Sequence, residues 1–172
     1  PRVTGAGAWR GGPSWTSIIP EHSRMSPSSP PPARLRLLVV APVADDARLL
    51  REITEGEPLA ATVTVASSFA EAPGLAAWND AVLVAHHAMD AACDLRRAIT
   101  KRRLAVPVVL ALPPQSEGIA REAVAAGVDA VLVRDAEDEW RRSLPGLLVV
   151  VVRRSEERRA REDAEAALRR QQ

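Results

Sequence analysis

Five short apolar runs follow Arg34, each rich in Val or Leu and each separated from the next by a longer amphipathic segment. The runs comprise residues 35–41, 62–66, 81–85, 108–112 and 130–133. Runs of this length that are apolar throughout are typical of strands buried on both faces of a sheet. Strands that alternate with helices favour a parallel sheet, because each connection must cross back over the sheet. The sequence therefore predicts an α/β fold around five parallel strands.

Four of the intervening segments have apolar residues at close to helical spacing, and they comprise residues 45–55, 68–78, 91–103 and 116–126. Pro73-Gly74 interrupts the second of them. Asp45 and Ser116 are residue types that cap helix N-termini, and Gly127 can take the left-handed position after a helix. Pro107 can open a strand. Right-handed crossovers then give three layers, α/β/α, with a site expected at the carboxyl ends of the strands.

A fifth helix is predicted to start near Glu137 and to be interrupted and kinked at Pro145-Gly146, where the helix would lose a hydrogen bond. The tail after Arg153 is rich in Arg, Glu and Ala, and it carries a thin apolar seam of Ala160, Ala164, Ala167 and Leu168. A solvated helical tail and a parallel dimeric coiled coil both remain open. The pattern stops at Gln171-Gln172, as we expect of a fragment of a longer chain.

Residues 1–33 are mostly Gly, Pro, Ser and isolated Trp, without an apolar period, and predict a disordered leader. Met25 precedes the Pro/Ser-rich part, so we hypothesise that translation naturally begins there. The predicted organisation is a leader over 1–33, an α/β domain over 34–145, and a helical linker or the start of a coiled coil over 146–172.

The charges nearly cancel, with 23 basic and 22 acidic side chains and a formal net charge of +1. This balance provides no electrostatic footprint for nucleic acid or an anionic membrane. Cys93 is the only cysteine, so no intrachain disulfide can form, which fits a cytoplasmic setting. The longest apolar run, residues 147–152, is far shorter than the roughly 20 residues that span a bilayer. We expect a cytoplasmic protein that binds neither nucleic acid nor membrane.

Residues 35–134 resemble the receiver domain of two-component response regulators. The first strand and helix (37–50), the third strand (79–84), the fourth strand (106–110) and the fifth strand with its Gly turn (126–134) occur in the family's order. The tail resembles the helix by which some receivers continue into a sensor, kinase or cyclase module. The resemblance implies a flavodoxin-like, doubly wound sheet with strand order 2-1-3-4-5 and a C-terminal helical extension.

The resemblance also implies transfer of a phosphoryl group to an aspartate at the end of the third strand. The family uses Mg²⁺ held by two acids after the first strand, a hydroxyl after the fourth and a lysine after the fifth. Those positions read Ala41 and Pro42 for the acids, Ala85 for the acceptor, Leu112 for the hydroxyl and Arg134 for the lysine. Aliphatic side chains supply no metal ligand and no oxygen to phosphorylate. Only the positive charge remains.

We therefore expect a degenerate pseudo-receiver with no phosphoacceptor, no catalytic residue and no bound metal or other cofactor. As the resemblance implies, its role would be regulatory and non-enzymatic, within a bacterial-type phosphorelay or two-component signalling protein. Its partners would be a sensor kinase or a fused output domain, and a homodimer through the C-terminal helix is also open.

Two rival hypotheses remain. A true phosphorelay receiver with displaced acids would need Asp45, Asp46 and Asp90 to converge, whereas we interpret the first two as helix caps favoured by the helix dipole. A flavodoxin-like enzyme or small-molecule binder would instead use the carboxyl ends of the strands for a ligand. The loops there (41–44, 86–90 and 113–115) are short and poor in polar groups that would orient one.

His86-His87 follows the third strand and is a candidate for metal or phosphohistidine chemistry, but Cys93 lies several residues further along the chain. Adjacent residues that leave a strand point in opposite directions, so we interpret both as loop histidines without a metal. Dinucleotide and hydrolase chemistry are not expected, since Gly5-Ala6-Gly7 lies in the leader and no Gly-x-Ser-x-Gly elbow occurs. Trp140 is expected to cover the core near the fifth helix.

Overall fold

The computed structural model describes residues 34–85 and 89–171. The predicted leader, Met25 and His86-His87 lie outside these ranges. In chain order the elements are β1 (Arg36–Val40), α1 (Ala44–Glu55), β2 (Thr62–Ala66), α2 (Ala72–Ala76), β3 (Ala81–Ala85), α3 (Met89–Lys101), β4 (Val108–Leu112), α4 (Glu117–Ala125), β5 (Ala130–Val133) and α5 (Glu139–Gln171). All five predicted strands are confirmed, and β1 is one residue shorter at each end than predicted.

The strands form one parallel sheet with the order β2-β1-β3-β4-β5, as predicted. In register, Leu38 of β1 lies beside Thr64 of β2 and Val82 of β3. Every residue of β3 and β4 is buried, which explains why both strands are apolar throughout. The edge strands β2 and β5 are more exposed.

Alternate residues of each strand enter two separate cores, because successive side chains of a strand point to opposite faces. Leu38 and Val40 lie in a core with buried residues of α2, α3 and α4. Leu37 and Val39 lie in the other core, with buried residues of α1 and α5. The three-layer α/β/α prediction is confirmed.

The predictions for α2 and for the N-terminus of α1 need correction. α2 covers only Ala72–Ala76 instead of 68–78, with Pro73 in its first turn, where the missing N–H costs no helical hydrogen bond. Neither Asp45 nor Asp46 is a cap, because Val43 occupies the N-cap position of α1 and both aspartates lie within the first turn. The predicted position of Ser116 is confirmed as the N-cap of α4, but its side chain makes no capping hydrogen bond. Gly127 has a φ of 100°, as a left-handed C-terminal position requires.

α5 continues without a break from Glu139 to Gln171, so the predicted interruption at Pro145-Gly146 is wrong. Proline removes one hydrogen bond to the carbonyl four residues earlier, and burial of one face of the helix offsets that loss. The residues buried on that face are Trp140, Leu144, Pro145, Leu148, Val151 and Ser155, and apart from Pro145 they recur every three or four positions. The boundary predicted after residue 145 falls inside this helix.

Beyond Ser155 the described residues of α5 are all exposed. Ion pairs at helical spacing join Arg153 to Glu157 and Glu165 to Arg169, each at 3.5 Å. Such pairs stabilise a solvated helix by a few tenths of a kcal/mol each. Across residues 34–85 and 89–171, no helix combines the length and the apolar character needed to span a membrane.

Candidate functional site

The centre of the carboxyl edge of the sheet is aliphatic. Ala41 directly follows β1, Ala85 ends β3 and Leu112 ends β4, and these residues are 2%, 3% and 0% exposed. The three strands are neighbours, and parallel strands end at the same edge, so the three side chains belong to one surface. Pro42 follows Ala41 and is exposed. The structure thus places four of the five predicted site residues at adjacent strand ends.

The fifth site residue, Arg134, is paired with a carboxylate. Its backbone N–H donates to the carbonyl of Leu112 at 2.9 Å, which fixes the residue beside the end of β4. Its Nη1 donates to Oδ1 of Asp46, also at 2.9 Å, and the two side chains are 15% and 19% exposed. The pair joins the end of β5 to the first turn of α1, although β4 and β3 separate β5 from β1 in the sheet.

Trp140 holds the same guanidinium from another side. The Cζ atoms of Arg134 and Arg141 each lie 5.8 Å from the centroid of the Trp140 ring, within the range of a cation–π interaction. Trp140 is 3% exposed and lies in the core shared by α1 and α5, so its predicted structural role is confirmed. The Nε atom of Arg134 is buried and has no hydrogen-bond partner among the described residues.

The three acids that a displaced phosphorylation site would need do not converge. Asp45 pairs with Arg48 at 3.1 Å on the surface of α1, Asp46 pairs with Arg134, and Asp90 is exposed in the first turn of α3. Within residues 34–85 and 89–171, no three Asp, Glu, His or Cys residues form a group that could hold a metal ion. Cys93 is buried in α3, 6% exposed.

A groove of about 410 Å³ lies beside this edge, between α1 and the end of β2. Its walls include Ala41, Pro42, Ala47 and Val65, with Arg48 and Ser67 at its margin. Arg48 pairs with Asp45 at 3.1 Å on the open surface, and Arg51, which also lines the groove, pairs with Glu55 at 2.8 Å. Among the described residues, the strand ends therefore offer an aliphatic surface beside Arg134, whose charge is paired with Asp46.

No protein-family model and no curated protein sequence matches this chain. Solved structures match it in shape. NtrX from Brucella abortus in complex with ATP superposes with a TM-score of 0.62 at 19% identity, over 76% of this chain and 30% of NtrX. The receiver domain of the Francisella response regulator 1452 superposes with a TM-score of 0.56 at 18% identity, over 70% of this chain and 98% of that domain.

A CheY-like response regulator receiver domain protein from Methanospirillum hungatei gives a TM-score of 0.56 at 15% identity, over 72% of this chain and 98% of the other. This chain has the receiver-domain fold. In a receiver-domain fold, the carboxyl edge described above is the edge at which sheets of this class bind their ligands. Identities of 15 to 19% establish the shared fold alone.

Proposed function

We propose that this chain is a receiver-like regulatory module of two-component signal transduction that acts through protein contacts, without aspartyl phosphorylation and without catalysis. The observation that carries the proposal is Ala85. It ends β3, where the resemblance places the phosphoacceptor, and its buried methyl group has no oxygen to accept a phosphoryl group.

The surroundings of Ala85 support the same conclusion. Mg²⁺ requires oxygen ligands, and Ala41 and Leu112 supply none from their side chains. Phosphoryl transfer also needs cations that stabilise the developing negative charge. The guanidinium of Arg134 already binds the carboxylate of Asp46, so an incoming phosphoryl group would have to compete with that ion pair. We infer that the Arg134–Asp46 pair keeps the carboxyl edge of the sheet in a single conformation.

α5 would transmit the regulatory signal from this module to a partner. This helix is continuous from the sheet to Gln171, and we place the end of the compact domain at Ser155, its last buried residue. The exposed segment after Ser155 would lead to a fused output domain or pair with a second copy of the chain as a coiled coil. A sensor kinase is the other proposed partner. We further propose a cytoplasmic location in a bacterial-type protein, since the single cysteine forms no intrachain disulfide.

The test is incubation of the chain with acetyl phosphate and Mg²⁺, followed by intact mass spectrometry. We expect no added phosphoryl group, while a receiver domain that accepts phosphate from this donor gains one in a parallel reaction. A stable acyl phosphate on any residue from 34 to 145 would overturn the proposal. The variants Asp45→Asn and Asp46→Asn would then show whether a displaced acid is the acceptor.

A small-molecule binder that uses the same edge is the alternative, and the groove between α1 and β2 is the observation that favours it. A thermal-shift screen distinguishes the two hypotheses. Because Ala47 lines the groove, Ala47→Trp would fill it. A compound that stabilises the chain but not this variant would support the alternative, and our proposal predicts that none does.

A further inference from the structure

A second concave site lies at the opposite, amino edge of the sheet. This cleft has a volume of about 350 Å³, which is within the range of small-ligand sites. Its walls come from the start of β1, the segment before β3, the loop before β4, and the part of α5 near the end of its buried face. The charged and polar residues that line it are Arg36, Asn79, Asp80, Arg103, Ser155, Glu156 and Arg159. The side-chain amide of Asn79 donates to the carbonyl of Leu75 at 2.9 Å.

Two of these charged residues neutralise each other. Nη2 of Arg36 lies 3.0 Å from Oδ1 of Asp80, and the backbone N–H of Arg36 donates to Oδ2 at 2.8 Å. Partial burial by itself would raise the pKa of Asp80, but the hydrogen bonds and the charge of Arg36 outweigh it and hold that pKa below its usual value. Asp80 is therefore a carboxylate at neutral pH and offers the cleft no free negative charge.

The guanidinium groups of Arg103 and Arg159 have no hydrogen-bond or ion-pair partner in the described part of the chain. They enter the cleft from separate elements, the loop before β4 and α5. Glu156 is the one lining acid without a partner there. With Arg36 and Asp80 paired, the remaining lining charges are two positive and one negative.

The two walls that carry these arginines are fixed to each other. Oγ of Ser155 donates to the carbonyl of Ala105 at 3.2 Å, which ties α5 to the loop that carries Arg103. One turn later, Arg158 lies 3.6 Å from Asp129, and the backbone N–H of Val108 donates to the same carboxylate at 2.8 Å. A site whose walls are already in place loses little conformational entropy when a ligand binds.

We propose that this cleft binds a small, multiply charged oxyanion between Arg103 and Arg159. The planar guanidinium group matches the geometry of phosphate and carboxylate oxygens and is weakly hydrated, so arginine is the side chain that most often holds such groups. Glu156 repels an anion and keeps its affinity moderate. An anion bound to both arginines would cross-link α5 to the amino edge of the sheet, whatever the state of the carboxyl edge.

Isothermal titration calorimetry of the whole chain with inorganic pyrophosphate, and separately with citrate, tests the site. Arg103→Gln and Arg159→Gln should each weaken binding about tenfold, the order of magnitude of one lost charge-assisted hydrogen bond. Glu156→Gln should strengthen it by removing the repulsion. Arg161→Gln is the matched control, because Arg161 is exposed on the same helix and does not line the cleft.

Glu156→Gln is expected to raise the affinity and Arg159→Gln to lower it. These opposite changes distinguish a defined site from a general attraction of anions to an arginine-rich surface. Binding of pyrophosphate alone would assign a phosphate ligand, binding of citrate alone a carboxylate ligand, and binding of both any multiply charged oxyanion. If neither pyrophosphate nor citrate binds at millimolar concentration, the proposal is overturned. An equal loss of affinity in Arg161→Gln and Arg159→Gln would do the same. The three arginines and Glu156 are all exposed, so the variants are expected to fold.

Discussion

The guanidinium of Arg134 lies 2.9 Å from the carboxylate of Asp46, and less than a fifth of either side chain is exposed. At this degree of burial, loss of one partner leaves the other charge without water or a counter-ion to stabilise it. Asp45, the neighbouring acid, forms its pair on the open surface of α1, where solvent screens both charges. The two adjacent aspartates therefore differ strongly in their contribution to the stability of the fold.

Asp46→Asn should lower the free energy of unfolding by about 2 kcal/mol, because the charge-assisted hydrogen bond is lost and Arg134 stays partly buried. The matched control, Asp45→Asn, should change it by less than about 0.5 kcal/mol. Urea denaturation of the two variants measures both values. If both variants change the free energy of unfolding equally, the Arg134–Asp46 pair is no more stabilising than the surface pair of Asp45.

The pair between Arg36 and Asp80 predicts a dependence of stability on pH. The pKa of Asp80 is lowered in the folded chain, so the pair contributes stability above the ordinary aspartate pKa of about 4 and loses it as pH falls through the lowered value. Because Asp80 is one-third exposed and Arg36 more than half exposed, solvent screens the pair and its contribution should be small. Unfolding curves of the chain and of Asp80→Asn should differ at pH 7 and converge below pH 4; a constant difference would contradict this.

Among the elements, those that were predicted from sequence are the ones with a local signature. β3 and β4 are buried at every position, so each appears as an unbroken apolar run whose ends are also the ends of the strand. α5 was predicted with a break, because the cost of Pro145 is local while the compensating burial of Leu148 and Val151 depends on the sheet. The Arg134–Asp46 pair was missed because its partners are 88 residues apart. The only sequence signal for the pair was that an acidic residue, Asp46, comes after β1 and a basic residue, Arg134, comes after β5 of the same sheet.

The continuity of α5 can be tested with two neighbouring residues. Leu148 is fully buried, whereas Val149 is 52% exposed. Leu148→Ala should lower the free energy of unfolding by about 3 kcal/mol, and Val149→Ala should change it by less than about 1 kcal/mol. Thermal and urea denaturation provide the comparison. Similar small effects in both variants would mean that the compact domain ends near residue 145, as the sequence alone predicted.

In the whole molecule, α5 connects the two edges of the sheet. Trp140 contacts Arg134 at the carboxyl edge, and Ser155 binds the carbonyl of Ala105 at the amino edge. The 15 residues between them cover about 22 Å of helix. In the described part of the chain, the strand ends at the carboxyl edge are aliphatic and Arg134 there is paired, while two guanidinium groups that line the cleft at the amino edge have no partner. We therefore expect signals to reach the exposed end of α5 from partners or ligands, and not from phosphoryl chemistry at Ala85.

The most direct test of this account is an NMR titration of the ¹⁵N-labelled chain, first with Mg²⁺ alone and then with Mg²⁺ and acetyl phosphate. Each residue of the carboxyl edge except Pro42, which has no amide proton, reports separately in such a spectrum. The account predicts that the amide signals of Ala41, Ala85 and Leu112 stay in place in both steps. Saturable shifts centred on these residues would show that the edge binds the metal or the phosphoryl group, and would contradict the account.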